Sequence, residues 1–157
     1  MNQLFVVMYH YVRDLEMSRY PAIKGLDYEL FKQQIIFFKE NFRVVTMEEV
    51  VEAASGGKEL PEKALLLTFD DGYIDHYIFV LPVLKANRIQ GSFFMPGKTL
   101  MEDVLLDVNK VHFILASSEK KQLLIKVLKQ MDYYRGYEFS YPSNEELIEK
   151  FGGGGEI

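Results

Sequence analysis

The stretch that most constrains this chain is Leu65-Leu66-Leu67-Thr68-Phe69-Asp70-Asp71-Gly72-Tyr73, an apolar strand running without a break into two carboxylates and a glycine. A continuous apolar run bounded by a turn signal is how a strand buried on both faces reads, and such strands belong to parallel α/β sheets. In those sheets chemistry gathers at the carboxyl ends of the strands. Successive strand side chains point to opposite faces, so Asp70 and Asp71 cannot share one task unless the backbone turns. Gly72 permits that turn, because it enters the φ > 0 region at no steric cost. Two carboxylates at one strand end, aimed differently, fit one metal ligand and one proton acceptor. Asp-Asp-Gly is also ordinary turn chemistry, with an Asp capping a helix and a Gly in the loop. The triplet alone leaves both readings open.

The rest of the chain supplies the sheet that such a strand needs. A first strand is expected at about 3–9, followed by a loop from 10 to 26 that contains Pro21 and Gly25. Asp27 caps a helix over about 28–41, where Phe31, Gln34, Ile35 and Phe38 recur at helical spacing. A short strand at Arg43 to Thr46 leads into a helix over about 47–54, opened by a Thr46/Glu49 capping box and ended by Ser55-Gly56-Gly57. Strands at about 64–69 and 91–95 flank a helix over about 73–87. Strands alternating with helices imply a parallel sheet. After Pro96 the pattern turns helical, at 105–117, 119–134 and 143–151, the last opened by Ser143 and Glu146. No strand is expected after residue 95.

The residues around the carboxylates sharpen the choice. Leu67-Thr68-Phe69-Asp70-Asp71-Gly72-Tyr73 resembles the first motif of the polysaccharide deacetylases, also called carbohydrate esterase family 4 or the NodB-homology domain. Val6-Val7-Met8-Tyr9-His10-Tyr11 is similar to that family's opening strand, Tyr77 to Lys85 to the helix after the motif, and Gly91-Ser92-Phe93-Phe94-Met95 to its next strand. The resemblance covers residues 3 to 97 in order. It implies that Asp70 is the general base and that Asp71 binds a divalent metal, zinc in the usual case. The implied fold is α/β, a partial (β/α) barrel of about four parallel strands at 1–100, followed by a helical insertion and glycine-rich end at 101–157. The family's second motif, His-Ser/Thr-x-x-His, has no match, since His10, His76 and His112 include no pair four apart. Its later motif with an arginine, a proline and a glycine is also unmatched: Arg135-Gly136 lacks the proline. A full barrel usually needs about 200 residues or more, so the expectation is a truncated chain carrying half of an active site.

Composition narrows the remaining classes. Apolar residues make up 48% of 157 residues, enough for one packed domain and too many for a disordered chain. The net charge is −5 with acids and bases interspersed, which points to neither nucleic acid nor an anionic membrane surface as partner. There are no cysteines, so zinc would have to use histidine and carboxylate. Leu4 to Met8 is too short for a signal-peptide core and no apolar run reaches transmembrane length, so a cytoplasmic protein without a membrane span is expected.

Beyond the two aspartates, His10, Tyr73 and His76 are candidates for contacting substrate or holding the carboxylates. His10 competes with the reading of a polar strand end, and His76 with that of a surface residue in a first helical turn. His112, mid-helix beside Val111 and Phe113, reads as packing. The Phe37-Phe38 and Tyr133-Tyr134 pairs read as core or interface aromatics, and Glu119-Lys120-Lys121 as a solvated helix face. The expected activity is removal of N-acetyl groups from a carbohydrate by a metal-dependent hydrolase, active only with the missing C-terminal part. The alternative is a non-catalytic carbohydrate-binding or assembly module. A magnesium-dependent phosphoryl-transfer enzyme is disfavoured, because its usual Asp-x-Asp spacing is absent. A half barrel would also expose the edge near Ser92 to Met95 and the inner face of the sheet, with oligomerisation, aggregation or coverage by helices 105–134 as the expected outcomes.

Overall fold

The computed structural model describes residues 3–137 and 139–151; the glycine run at 152–155, expected as a flexible end, lies outside them. The chain divides into two compact units, Met1–Ala116 and Ser117–Ile157. In chain order the first unit begins with β1 (Leu4–Tyr9), β2 (Val12–Arg13), β3 (Leu26–Asp27), α1 (Tyr28–Asn41), β4 (Arg43–Val45) and α2 (Met47–Ala54). It continues with β5 (Ala64–Asp70), a π-helical turn (His76–Val80), α3 (Leu81–Asn87), β6 (Ser92–Phe94), α4 (Gly97–Glu102) and most of α5 (Asp107–Ser117). Among the described residues four strands make one parallel sheet, and β5 is its hub. β1 runs along one edge of β5 with Leu4 level with Ala64 and Tyr9 level with Phe69. β4 and β6 share the other edge end to end, β4 against Ala64–Leu66 and β6 against Thr68–Asp70. This is the expected α/β architecture, part of a (β/α) barrel with helices on its outer face.

The burial of β5 follows its composition. All six residues from Ala64 to Phe69 are buried. Leu65, Leu67 and Phe69 face one way, into a core made with Tyr9, Phe31 and Ile35 and with Val80, Val83 and Leu84 from the π turn and α3. Each such side chain taken from water contributes about 1.5–3 kcal/mol, so this layer holds the helices on the sheet. Leu66 faces the other way, beside Val45 and Ala64, with Met47, Val50 and Leu60 packed against them. By the same alternation Asp70 lies on the Leu66 side, opposite the layer formed by α1 and α3.

Both caps read from the sequence of the first unit are formed. Asp27 accepts from the Glu29 N–H at 2.9 Å, and Thr46 and Glu49 make the reciprocal bonds of a capping box. Three local features differ from expectation. The loop from 10 to 26 contains a short parallel pairing, Val12 with Leu26 and Arg13 with Asp27; two residues per strand are too few to leave an alternating pattern. The helix expected over 73–87 opens instead as a π turn, with the Leu81 N–H bonded to the His76 carbonyl. Pro82 explains it: proline has no N–H for the Ile78 carbonyl and its ring crowds that group, so the preceding turn widens. Finally, α4 follows Pro96, which offers no side-chain cap, and lacks the periodicity that would have announced it.

The second unit carries α6 (Lys120–Tyr134) and α7 (Asn144–Phe151). Glu119, expected on a solvated face, is the N-cap of α6 and accepts from the N–H groups of Lys121 and Gln122. These two bonds hold its carboxyl below the ordinary glutamate range. Ser143 and Glu146 form the expected box at the start of α7. Arg135 ties the turn together through Asp132, the Pro142 carbonyl and Asn144.

Candidate active site

Asp70 ends β5 half-buried, level with Phe94 on one side and one residue beyond the Tyr9–Phe69 pair on the other. Asp71 then leaves the strand. Its φ is +70° and that of Gly72 is +61°, so two successive residues take left-handed backbone. The turn expected at Gly72 therefore begins one residue earlier, on an aspartate, a residue type that tolerates this region. Asp71 is held by Tyr73, whose hydroxyl donates to Oδ2 at 2.6 Å.

Tyr73 is itself enclosed. Its ring stacks on Tyr11 with centroids 4.1 Å apart, and its oxygen receives the Asn109 Nδ2–H at 2.6 Å. Burial first, and then the bond to Asp71, raise the Tyr73 hydroxyl far above the ordinary tyrosine value, so it stays protonated. Tyr11 carries the guanidinium of Arg13 over its ring at 4.8 Å, and its hydroxyl meets His112 Nδ1 at 3.3 Å. Arg13 in turn donates to Asp75 Oδ2 at 2.7 Å, and both side chains are largely shielded from water. A continuous polar network thus runs from Asp71 to α5 and back to the start of the π turn.

The three histidines fare differently. His10 is exposed just past the end of β1, whose last residue, Tyr9, is level with Phe69. His76, weighed above as a surface residue, is only 4% exposed. Its Nε2 lies 2.7 Å from the His10 carbonyl. A carbonyl only accepts, so Nε2 bears the proton and Nδ1 is left buried without a hydrogen-bond partner. Phe69, Tyr73 and Phe93 surround the ring, and the histidine pins the end of β1 to the π turn. His112 packs edge-on against Tyr11, in keeping with its reading as a packing residue.

Asn109, Tyr11 and the Arg13–Asp75 pair had not been singled out. Asn109 did leave a signal: it lies on the face of α5 defined by Leu106, Phe113 and Ala116, where a polar residue is out of place. It is 3% exposed. Among the described residues no three His, Cys, Asp or Glu side chains come together to hold a metal. A closed zinc site takes four ligands and a catalytic one three, so the described residues alone do not fit one.

Known proteins resemble this chain over part of its length. The family profile described as Polysaccharide deacetylase matches residues 57–134. The poly-β-1,6-N-acetyl-D-glucosamine N-deacetylase of Escherichia coli K12 is 36% identical over 87 residues, 54% of this chain and 12% of that protein. YxkH of Bacillus subtilis strain 168, assigned by name to the polysaccharide deacetylases, is 30% identical over 99 residues, 62% of this chain and 33% of that protein. The chain therefore spans a third or less of the length of these relatives. The structure of the Streptococcus pyogenes deacetylase PplD, in complex with acetate, shares the fold with a TM-score of 0.53 at 21% identity, over 83% of this chain and 67% of that one. The matched segment contains β5, the turn after it and Asn109, so the similarity to the polysaccharide deacetylases spans the candidate site.

Proposed function

We propose that this chain contributes the base and one metal-binding carboxylate of a hydrolase that removes N-acetyl groups from a carbohydrate. The observation that carries the reading is the pair of carboxylates at the end of the central strand, with Asp71 on left-handed backbone and bonded to Tyr73. Asp70, half-buried at the end of β5, has the role of drawing the proton from a water that attacks the acetamide carbonyl. Asp71, steadied by Tyr73, is one carboxylate ligand for a divalent metal, zinc in the first instance, whose other ligands lie outside the described residues. Acetate and a free amine on the sugar are the products. The Escherichia coli relative, by its name, acts on a polymer of N-acetylglucosamine, which makes oligomers of that sugar the first substrates to try.

Activity is expected only when the remainder of the domain is present. The test compares this chain with a longer protein in which it is joined to the rest of a deacetylase domain, measuring acetate release from N-acetylglucosamine oligomers. The longer protein is expected to be active and the 157-residue chain inactive. In the longer protein Asp70→Asn should lower the rate about a hundredfold or more, and Asp71→Asn should reduce bound zinc. Activity that survives Asp70→Asn sinks the assignment of the base. The missing metal cluster among the described residues favours one other reading, a carbohydrate-binding module with a degenerate site. Carbohydrate binding by the longer protein with neither zinc nor acetate release would establish it.

A further inference from the structure

We infer that Asn109 is a positioning residue for Asp71, acting through the Tyr73 hydroxyl. The inference rests on the reading of Asp71 as a metal-binding carboxylate. A tyrosine hydroxyl has one proton to give and lone pairs to accept with. Tyr73 stands between two polar atoms, Asp71 Oδ2 and Asn109 Nδ2, each at 2.6 Å. The carboxylate can only accept, so it takes the single proton. The second partner must then donate, which an amide nitrogen does and an amide oxygen does not. Proton counting therefore fixes the Asn109 amide orientation and the sense of the whole chain, Asn109 to Tyr73 to Asp71. With Oδ2 engaged in this way, Oδ1 is the Asp71 oxygen left to meet a metal.

The geometry leaves the tyrosine little freedom. Tyr11 stacks on its ring, and the same Asn109 nitrogen reaches the Tyr11 hydroxyl at 3.4 Å. One amide thus links both aromatic rings to α5, a helix some 40 positions beyond the carboxylate it steadies. Removing the donor frees the Tyr73 hydroxyl to rotate away from Asp71, and the carboxylate loses its fixed orientation. Groups that orient a metal ligand in this manner matter to metal affinity well beyond their own contact energy.

The experiment uses the intact chain with tyrosine labelled at 13Cζ. The Tyr73 signal is identified by its loss in Tyr73→Phe, and hydroxyl proton exchange is read from isotope splitting in mixed light and heavy water. Asn109→Leu should speed exchange at Tyr73 about five- to tenfold, the equivalent of one lost hydrogen bond, while the fold, checked by thermal melting, persists. Unchanged exchange in a folded Asn109→Leu chain overturns the inference. A reciprocal measurement needs no change at Asn109: Tyr73→Phe must shift the Asn109 side-chain amide signal, and an unmoved signal also overturns it. Zinc titrated to millimolar concentration, with the Asp71 carboxyl carbon observed, separates this inference from the functional reading. A response of that carbon to zinc, reduced in Asn109→Leu but not reduced further by Asn109→Leu in the Tyr73→Phe background, supports the chain of action. A carbon that ignores zinc sinks the metal assignment of Asp71 and leaves the Asn109–Tyr73 exchange result standing.

Discussion

Tyr9 shows what a single buried hydroxyl asks of its surroundings. It lies between Phe31 and Phe69, with ring centroids 5.3 and 5.2 Å away, and its hydroxyl donates to Gln34 at 2.7 Å. Burial raises its ionisation far above the ordinary tyrosine value. Below about pH 10, the unfolded tyrosine value, both states keep the proton and this contribution is complete. Above it the unfolded chain releases a proton that the folded chain retains, so stability falls as pH rises. Urea midpoints measured from about pH 8 to about pH 11 should decline, and Tyr9→Phe should make the alkaline part of the decline shallower. Side chains like this are poorly legible in a sequence, because a tyrosine looks the same whether its hydroxyl is wet or buried. Asp70 and Asp71 stood out because charges at the end of an apolar run contradict their neighbours. Asn109 does the same within its helix, but its partner Tyr73 lies 36 positions away, and no local spacing joins the two.

At the scale of elements, local chemistry was the most readable part of the chain. Asp27, Thr46 and Ser143 sit where their short side chains can take a free helix N–H, and each does. The short pairing of β2 with β3 and the π turn escaped because they answer to tertiary neighbours and to one proline. Gly91 is a further case of an element fixed from outside. A Cβ there would lie 2.5 Å from Phe69 Cε2 and 3.0 Å from Leu84 Cδ1. The glycine lets the entry to β6 press on the ring that also anchors β5 and the π turn. Gly91→Ala should therefore cost about 1–3 kcal/mol through overpacking, measured as a lower urea midpoint with an unchanged slope. A neutral or stabilising outcome would mean that the Phe69 ring moves freely.

Over the whole molecule, the Leu66 side of the sheet is covered only in part: Leu66 is buried against Val45, Ala64 and residues of α2, while apolar residues flanking it stay exposed. Val6 and Met8 are 56% and 57% exposed and Phe94 50%. Of the helices over 105–134 that were expected to cover it, α5 presents Asn109, His112 and Phe113 to Tyr73, Tyr11 and Tyr20. Asp70 stands at the border of this apolar floor. Surfaces of this kind attract apolar probes and further copies of the chain. The isolated chain should brighten a dye for hydrophobic surface and show a mass that grows with concentration in size-exclusion chromatography with light scattering. Met8→Lys should weaken both signals. A strictly monomeric chain without dye binding would mean that this face is closed in solution.

The shared dependence of β1, β4 and β6 on one strand has a consequence for synthesis on the ribosome. β1 and β4 do not pair with each other, and the partner of each is β5. Until Ala64–Asp70 has been translated, the main sheet has no second strand to build on, whereas α1 and α2 already have their caps in place. At about 5–20 residues per second, the apolar β1 waits several seconds with its backbone groups unmatched. The emerging chain thus passes through a helical interval first, and the arrival of β5 converts it within one event into a sheet whose newest end carries the two aspartates.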